Sequence, residues 1–321
     1  MIRLQELNEG LKNEFRQAAG ALRKRLEQRP NRAAMRAYIA GSGMGRFTKS
    51  RKMSNIELEQ IAEKGGIAGV DGSTNSAGGI FPYVITLQQA MAKSTVAQEE
   101  IYFQRVMCPL LFEEALDEAG YQEMVKSSLA GLEARAALSA IEKFSPAVLL
   151  IDGSLVRLKI EAKHLWEKLK EAALDSGTLL AGVVEGISTR VISSALKGVL
   201  PEAVTGACDW ELLFGVMDVG EGLEVAPGCF KEGFRTVFMR TSGDPKPIGI
   251  DLLEEQYEHL ELVENLIYTL TPESGRGIPL WLDLIDKKVK ISDATIEGLL
   301  KTYLGQDYAE FLTPKRAKRS P

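Results

Sequence analysis

The hydrophobic and polar positions at the start of the chain follow a helical period. Apolar residues recur there at three-, four- or seven-residue steps until Arg29-Pro30: Leu4, Leu7, Leu11, Phe15, Leu22 and Leu26. The pattern predicts one long, otherwise charged helix with a single apolar stripe. Such a stripe must pack either on its own domain or on a second copy of the chain, and the sequence leaves both open.

Further along, the pattern changes to short apolar runs, which are typical of buried strands. They predict strands at 67–70, 148–151, 179–184, 212–217, 234–239 and 248–250, with 80–92 as the hairpin partner of the first. Helical patterns cover 99–143, 157–173 and 292–304. This succession favours an α/β fold, in which a mixed sheet is flanked by helices and preceded by the N-terminal helical extension.

Two of the predicted strands end in the same way. Val70-Asp71-Gly72-Ser73 and Ile151-Asp152-Gly153-Ser154 each place an acid at the end of an apolar run, before a Gly-Ser turn. A carboxylate at the end of a buried strand is costly unless a positive charge meets it. We therefore expect Asp71 and Asp152 to bind Mg²⁺ or Mn²⁺ together. The alternative is that both acids cap their turns by accepting bonds from local backbone N–H groups.

Other acids are weaker candidates. Glu133 follows an apolar residue on a predicted helix, and either points inward as a third ligand or pairs with a neighbouring arginine. Glu185 also ends an apolar run and is either a ligand or a salt-bridge partner. Asp283 and Asp286 lie on an apolar stretch, where one could reach the site or both could be surface charge.

Composition narrows the class of protein. The 321 residues carry a net charge of −5, so nucleic acid would have to be bound through local basic patches. The three cysteines are far apart, which argues against a zinc site and fits a reducing cytoplasm. The two histidines exclude any mechanism that needs a histidine cluster. No run is long enough for a membrane span and no signal-peptide pattern begins the chain, so we expect a cytoplasmic protein.

One local basic patch stands out. Residues 29–52 hold seven basic residues and no acid, around a glycine-rich stretch at 41–45 that suggests a mobile loop. Arg46, Lys49, Arg51 and Lys52 are the predicted DNA-contacting residues of this arm, and a solvated surface loop is the alternative. The patch is no phosphate loop of an NTPase, because Thr48 stands where glycine must precede the lysine.

Several motifs in a fixed order resemble the NurA family, nucleases that partner a HerA-type hexameric DNA motor in DNA end resection. They are Ala68–Ser73 followed by a Gly-Gly hairpin, Leu132-Glu133, Leu149–Leu155, Ala181–Glu185 and the Gly-x-Pro-x-x-Leu segment at 277–282. The resemblance runs from about residue 60 to 305. It implies a division into an N-terminal helix and basic arm (1–58), a nuclease domain (59–305) and a basic, disordered tail (306–321).

The resemblance also implies roles for particular residues. The fold would be RNase H-like, and the family's acids would fall on Asp71, Glu133 and Asp152. The family uses a late tyrosine, for which Tyr268 is the candidate, and a late histidine, in whose place this chain has Asp286. A carboxylate there could replace the histidine as a metal ligand. Family members are homodimers, which would give the N-terminal stripe a partner.

Together these features predict a DNA nuclease of end resection in double-strand break repair, cleaving single strands with two Mn²⁺ or Mg²⁺ ions per active site. Its partners would be DNA and a HerA-like ATPase. One alternative is a catalytically weakened adaptor that docks on such an ATPase, because the late histidine is missing. Another is a phosphatase that uses the same acids on small phosphoesters.

Overall fold

One nine-stranded mixed β-sheet forms the centre of the molecule. The structure is a computed structural model that describes residues 8–112 and 116–308. The strands are β1 (Gly45–Lys49), β2 (Ile67–Gly78), β3 (Val84–Ser94), β4 (Glu100–Met107), β5 (Val148–Asp152), β6 (Leu179–Val184), β7 (Glu221–Val225), β8 (Phe234–Met239) and β9 (Ile248–Leu253). Their order across the sheet is β1-β7-β8-β9-β6-β5-β2-β3-β4.

The half of the sheet from β4 to β6 holds the predicted acids. Here β2, β3 and β4 form an antiparallel meander, and β5 and β6 run parallel to β2. A meander followed by two parallel strands, in the order β4-β3-β2-β5-β6, is the RNase H-like arrangement, so the expected fold is confirmed. The remaining strands extend the sheet in antiparallel fashion from β6.

Helices cover both faces of the sheet. They are α1 (Glu9–Glu27), α2 (Arg32–Ser42), α3 (Asn55–Glu63), α4 (Glu118–Phe144), α5 (Leu155–Glu161), α6 (Lys163–Ser176), α7 (Val191–Ala195), α8 (Asp209–Leu213), α9 (Leu260–Leu270), α10 (Leu280–Val289) and α11 (Asp293–Leu304). One core lies between the sheet and α4, α5 and α6. A second core lies on the other face, under α9 and α10.

Strand β5 is an unbroken apolar run in the sequence because both of its faces are covered. Leu149 and Ile151 point into the first core, whereas Val148 and Leu150 point into the second. Because both faces of this parallel region are covered, successive residues of the strand are all buried. The run then stops at Asp152, where the strand leaves the core.

Three predicted elements are wrong. The segment 100–107 is not helical but strand β4, because Ile101, Phe103 and Met107 alternate toward the α4 side. Residues 209–213 form the short helix α8 rather than a strand at 212–217. The single helix predicted at 157–173 is interrupted at Ala162, where α5 ends and α6 begins.

The N-terminal region divides into an exposed helix and a segment built into the sheet. Helix α1 buries none of its residues, and Leu11, Phe15, Leu22 and Leu26 remain exposed on it. The glycine-rich stretch predicted as a mobile loop spans the end of α2 and the start of β1, which pairs with β7. The predicted disordered tail lies outside the described residues from 309 onward. Within the described part of the chain, every helix is too short or too polar to cross a membrane.

Candidate active site

The register of β2 and β5 brings the two aspartates of the twin motifs together. The strands pair in parallel from Ile67 with Val148 to Val70 with Ile151. Asp71 and Asp152 therefore occupy the next position on adjacent strands, which lie about 4.8 Å apart and point equivalent side chains to the same face. This juxtaposition is the geometry that a shared cation requires.

Glu133 joins the aspartates from the opposite face of the sheet. It lies in the middle of α4, is only 3% exposed, and packs against Gly72 of the first twin motif. A Cβ at Gly72 would lie 2.5 Å from Glu133 Oε1, so only glycine leaves room for this carboxylate. The glycine therefore creates the space for Glu133 as well as ending the apolar run.

Helix α10 supplies a fourth acid. It packs directly on β2, where a Cβ on Gly69 would overlap the Cδ1 atom of Ile285. This close approach brings Asp286, the next residue, within electrostatic reach of Asp71 and Asp152. The position at which the resemblance predicts a replaced histidine thus faces the cluster.

The pKa values of three of these acids are raised because the acids are buried and lie close to other negative charges. Burial, followed by the charge of Asp152, raises the pKa of Asp71 to about 8. Burial, followed by the charge of Asp286, raises the pKa of Asp152 to about 6. Burial also raises the pKa of Glu133 to about 6, although Arg157 opposes this shift. Carboxylates that raise one another's pKa in a partly buried site favour the binding of a cation.

Two arginines neutralise part of this charge. Arg157, in the first turns of α5, donates to Glu133 and lies 3.4 Å from Glu161. Arg276 lies 2.7 Å from Asp283 and 3.4 Å from Asp286. It also pairs with Glu185 at 2.9 Å, so Glu185 has the salt-bridge role that the sequence left open.

The chemistry of the donors fits Mn²⁺ or Mg²⁺, because both ions prefer carboxylate oxygens. Among residues 8–112 and 116–308, no three acids, histidines or cysteines converge closely enough in this arrangement to hold a metal ion. Binding a metal would therefore require Glu133 and Asp286 to leave their arginines and turn toward the aspartates.

Comparison with known proteins identifies the family of this site. A model of the NurA domain matches residues 65–291 of the chain. This chain belongs to the NurA family. All four clustered acids, Asp71, Glu133, Asp152 and Asp286, lie inside the NurA domain. No curated protein sequence matches the chain.

Solved NurA structures share this fold. The crystal structure of the NurA nuclease from Sulfolobus solfataricus is similar at a TM-score of 0.60 and 11% identity, over 95% of this chain and 98% of that one. A crystal structure of NurA with manganese is similar at a TM-score of 0.51 and 12% identity, over 90% and 98% of the two chains. A further NurA crystal structure is similar at a TM-score of 0.53 and 12% identity, over 95% of this chain and 100% of that one.

Tyr268, the candidate for the NurA tyrosine, lies outside the acid cluster. Its ring lies 4.0 Å from Lys52 Nζ and against Gly220, which directly precedes β7. Strand β7 is four strands away from β5 in the sheet. The structure therefore brings together Asp71, Glu133, Asp152 and Asp286 but does not bring Tyr268 to them, and its catalytic role remains a prediction.

The predicted basic arm is occupied by intramolecular contacts. Arg46 pairs with Glu224 at 2.7 Å, and Arg51 pairs with Glu57 at 2.6 Å. Lys49 donates to a backbone carbonyl at 2.8 Å, and Lys52 donates to the carbonyls of residues 268 and 271. These four residues hold β1 and its neighbours in place, so DNA binding by the arm remains a prediction.

The sequence analysis missed the residues that support the site. Arg157 follows Asp152 by five residues, but a single arginine on a short helix has no distinctive pattern. Asp251 offered a clearer signal, because it interrupts the apolar run of β9 and is fully buried. It accepts bonds from Lys231 at 2.7 Å and from Ser154, the serine of the second twin motif, at 2.8 Å. This network holds the loop that follows Asp152.

The raised pKa values predict how pH affects the metal-free protein. In the unfolded chain these carboxyls lose their protons near pH 4. Asp71 keeps its proton to about pH 8 when folded, and Asp152 and Glu133 keep theirs to about pH 6. The folded state binds more protons over this range, so the free energy of unfolding should fall as pH rises from about 4 to about 8.

Thermal unfolding in a chelator checks this expectation. Asp71→Asn should raise Tm relative to the parent by roughly 3 °C or more near pH 8, and by less near pH 5. An equal Tm difference at both pH values would contradict the shift of Asp71.

Proposed function

We propose that this NurA-family chain is a metal-dependent deoxyribonuclease that hydrolyses phosphodiester bonds of single-stranded DNA. The observation that carries the proposal is the register that puts Asp71 and Asp152 side by side, with Glu133 and Asp286 beside them. Two relatives support it through their names, since one is described as a nuclease and another contains manganese.

The four acids would hold two Mn²⁺ or Mg²⁺ ions. Such ions, when bound, supply an activated water and stabilise the negative charge of a reacting phosphodiester. The chain's own contribution is to place Asp71 and Asp152 on adjacent strands, with Glu133 and Asp286 on helices that pack against β2. If Glu133 and Asp286 bound the ions, Arg157 and Arg276 would be available to neutralise the phosphate of the strand.

A cleavage assay on a labelled single strand tests the proposal. The full chain should degrade the strand with Mn²⁺ or Mg²⁺ and leave it intact in a chelator. A chromogenic phosphomonoester in parallel distinguishes the phosphatase alternative, which would hydrolyse the monoester faster than the strand. A protein that cleaves neither with either metal would refute the nuclease.

The adaptor alternative is favoured by one observation. The chain has only His164 and His259, and the structure places them on α6 and directly before α9, so neither belongs to the acid cluster. Mn²⁺ distinguishes the two functions, because a nuclease that binds it should show a higher Tm in its presence, and an adaptor should not.

We also propose that the protein acts in DNA end resection as a homodimer with a HerA-like ATPase. Support for the homodimer comes from α1, whose apolar stripe is left uncovered by its own domain. Light scattering should give a molar mass of two chains for the parent protein. The double variant Phe15→Glu with Leu22→Glu should give the mass of one chain. A monomeric parent protein would refute this part of the proposal.

A further inference from the structure

A second basic surface lies on the α4 face of the sheet, between α4 and β4, and includes Leu132, the neighbour of Glu133. It is an open groove with a volume of about 560 Å³. None of the residues that line it is acidic, and its polar lining consists of Gln104, Arg105, Ser127, Ser128, Arg135 and His164. We call it the α4 groove.

The two arginines of the α4 groove pair with no carboxylate of the described residues. Arg135 is exposed and forms no ion pair or hydrogen bond with any residue in the described ranges. Arg105 is also exposed, and its guanidinium lies 3.5 Å from the Ser128 hydroxyl, with no carboxylate partner within those ranges. The predicted basic arm differs, since Arg46 and Arg51 are each paired with a glutamate. An anion could therefore bind here without first displacing an internal partner.

The groove extends from the acid cluster along two elements. On α4, Glu133 points inward to Gly72, while Arg135, two residues later, is exposed. In the sheet, Thr74 of β2 pairs with Gln88 of β3, and Gln88 pairs with Arg105 of β4. Arg105 therefore lies two strands away from β2, level with the second residue after Gly72. Strand spacing and rise put the Cα atom of Arg105 about 12 Å from that of Gly72.

The length and chemistry of the groove fit a nucleic-acid backbone. Met124, Ser128, Gly131 and Arg135 form one stripe along α4, which spans about 16 Å at 1.5 Å per residue. This is room for several phosphates of one strand. Guanidinium groups and hydroxyls are the usual phosphate contacts, and among the described lining residues His164 is the one aromatic ring.

We propose that the α4 groove binds the sugar-phosphate backbone of the single DNA strand that enters the acid cluster. This inference rests on the proposed nuclease function for the identity of the strand. Arg105 and Arg135 contact successive phosphates, and binding is independent of base sequence.

Fluorescence anisotropy with a labelled single strand in a chelator tests the groove without any cleavage. The full chain is compared with Arg105→Ala, Arg135→Ala and the double variant. The double variant should bind about tenfold more weakly, and the slope of log Kd against log salt should fall by about 1 per arginine removed. Arg135→Lys, which keeps the charge, should retain most of the affinity of the parent.

Arg23→Ala is the matched control, because Arg23 is an exposed arginine on α1 that pairs with no residue in the described part of the chain. The proposal is overturned if the double variant and the control bind the strand equally well, or if the salt slope of the double variant stays that of the parent. The two proposals can fail separately. If the parent protein cleaves no DNA but the double variant still binds the strand more weakly, the nuclease function is refuted and DNA binding by the α4 groove is supported.

Discussion

Asp71→Asn is expected to reduce metal-dependent cleavage of DNA by about a thousandfold or more. Asparagine keeps the shape of the side chain and an oxygen that can accept from the Gly72 N–H, a bond of 2.7 Å in the structure. What it removes is the negative charge that Asp71 would contribute to the proposed metal site, so the site would lose affinity for its ions. The measurement is the initial rate of cleavage of a labelled strand across a range of Mn²⁺ concentrations.

Two comparisons make this result specific. Asp175→Asn changes an exposed acid at the end of α6 and should cleave like the parent. The Tm of Asp71→Asn in a chelator should equal or exceed that of the parent, since the substitution relieves repulsion in a partly buried cluster. An Asp71→Asn protein that keeps the parental rate would show that the cleavage, if any, takes place elsewhere.

Lys231→Met is expected to destabilise the protein by about 3–5 kcal/mol, which corresponds to a fall in Tm of roughly 5–7 °C. Asp251 is fully buried, and Lys231 is the cation that contacts both of its oxygens, each at 2.7 Å. Without the ammonium, the carboxylate keeps only the hydroxyls of Ser154 and Thr236. Thermal or denaturant unfolding measures the loss.

The loss of stability comes from the buried Asp251 carboxylate, which is left without a cation, rather than from the missing lysine side chain itself. Lys231→Met combined with Asp251→Asn should therefore recover most of the stability. Lys246→Met, at an exposed lysine of the β8–β9 connection, should leave Tm unchanged. A double variant as unstable as the single one would mean that the buried charge is not the cause.

The sequence predicts that Asp71 and Asp152 end neighbouring strands, and the register of β2 and β5 agrees for a physical reason. Two apolar runs that both end in Asp-Gly-Ser are read directly as adjacent strands with acids at the same edge, because the periodicity of a buried parallel strand is simple. Glu133 and Asp286 could not be assigned in this way. Their positions depend on how α4 and α10 approach the sheet, and this is decided by the space left at Gly72 and Gly69.

The errors have physical causes too. Strand β4 was taken for helix because apolar and polar residues are mixed in an edge strand with one solvated face. DNA binding by the basic arm stays a prediction, and in the sequence the arm looks unpaired because Glu57 and Glu224, which form ion pairs with it, lie outside it. Charge density along the chain does not distinguish a paired arginine from a free one, whereas the fold does.

Arg157 and Arg276 form ion pairs with the acids of the site in the metal-free protein. These two guanidinium groups offset part of the negative charge of the site and hold Glu133, Glu185 and Asp286 in place through contacts within the chain. Chelation should switch the enzyme off reversibly rather than unfold it. A metal ion bound at this site could then be removed and restored without loss of protein.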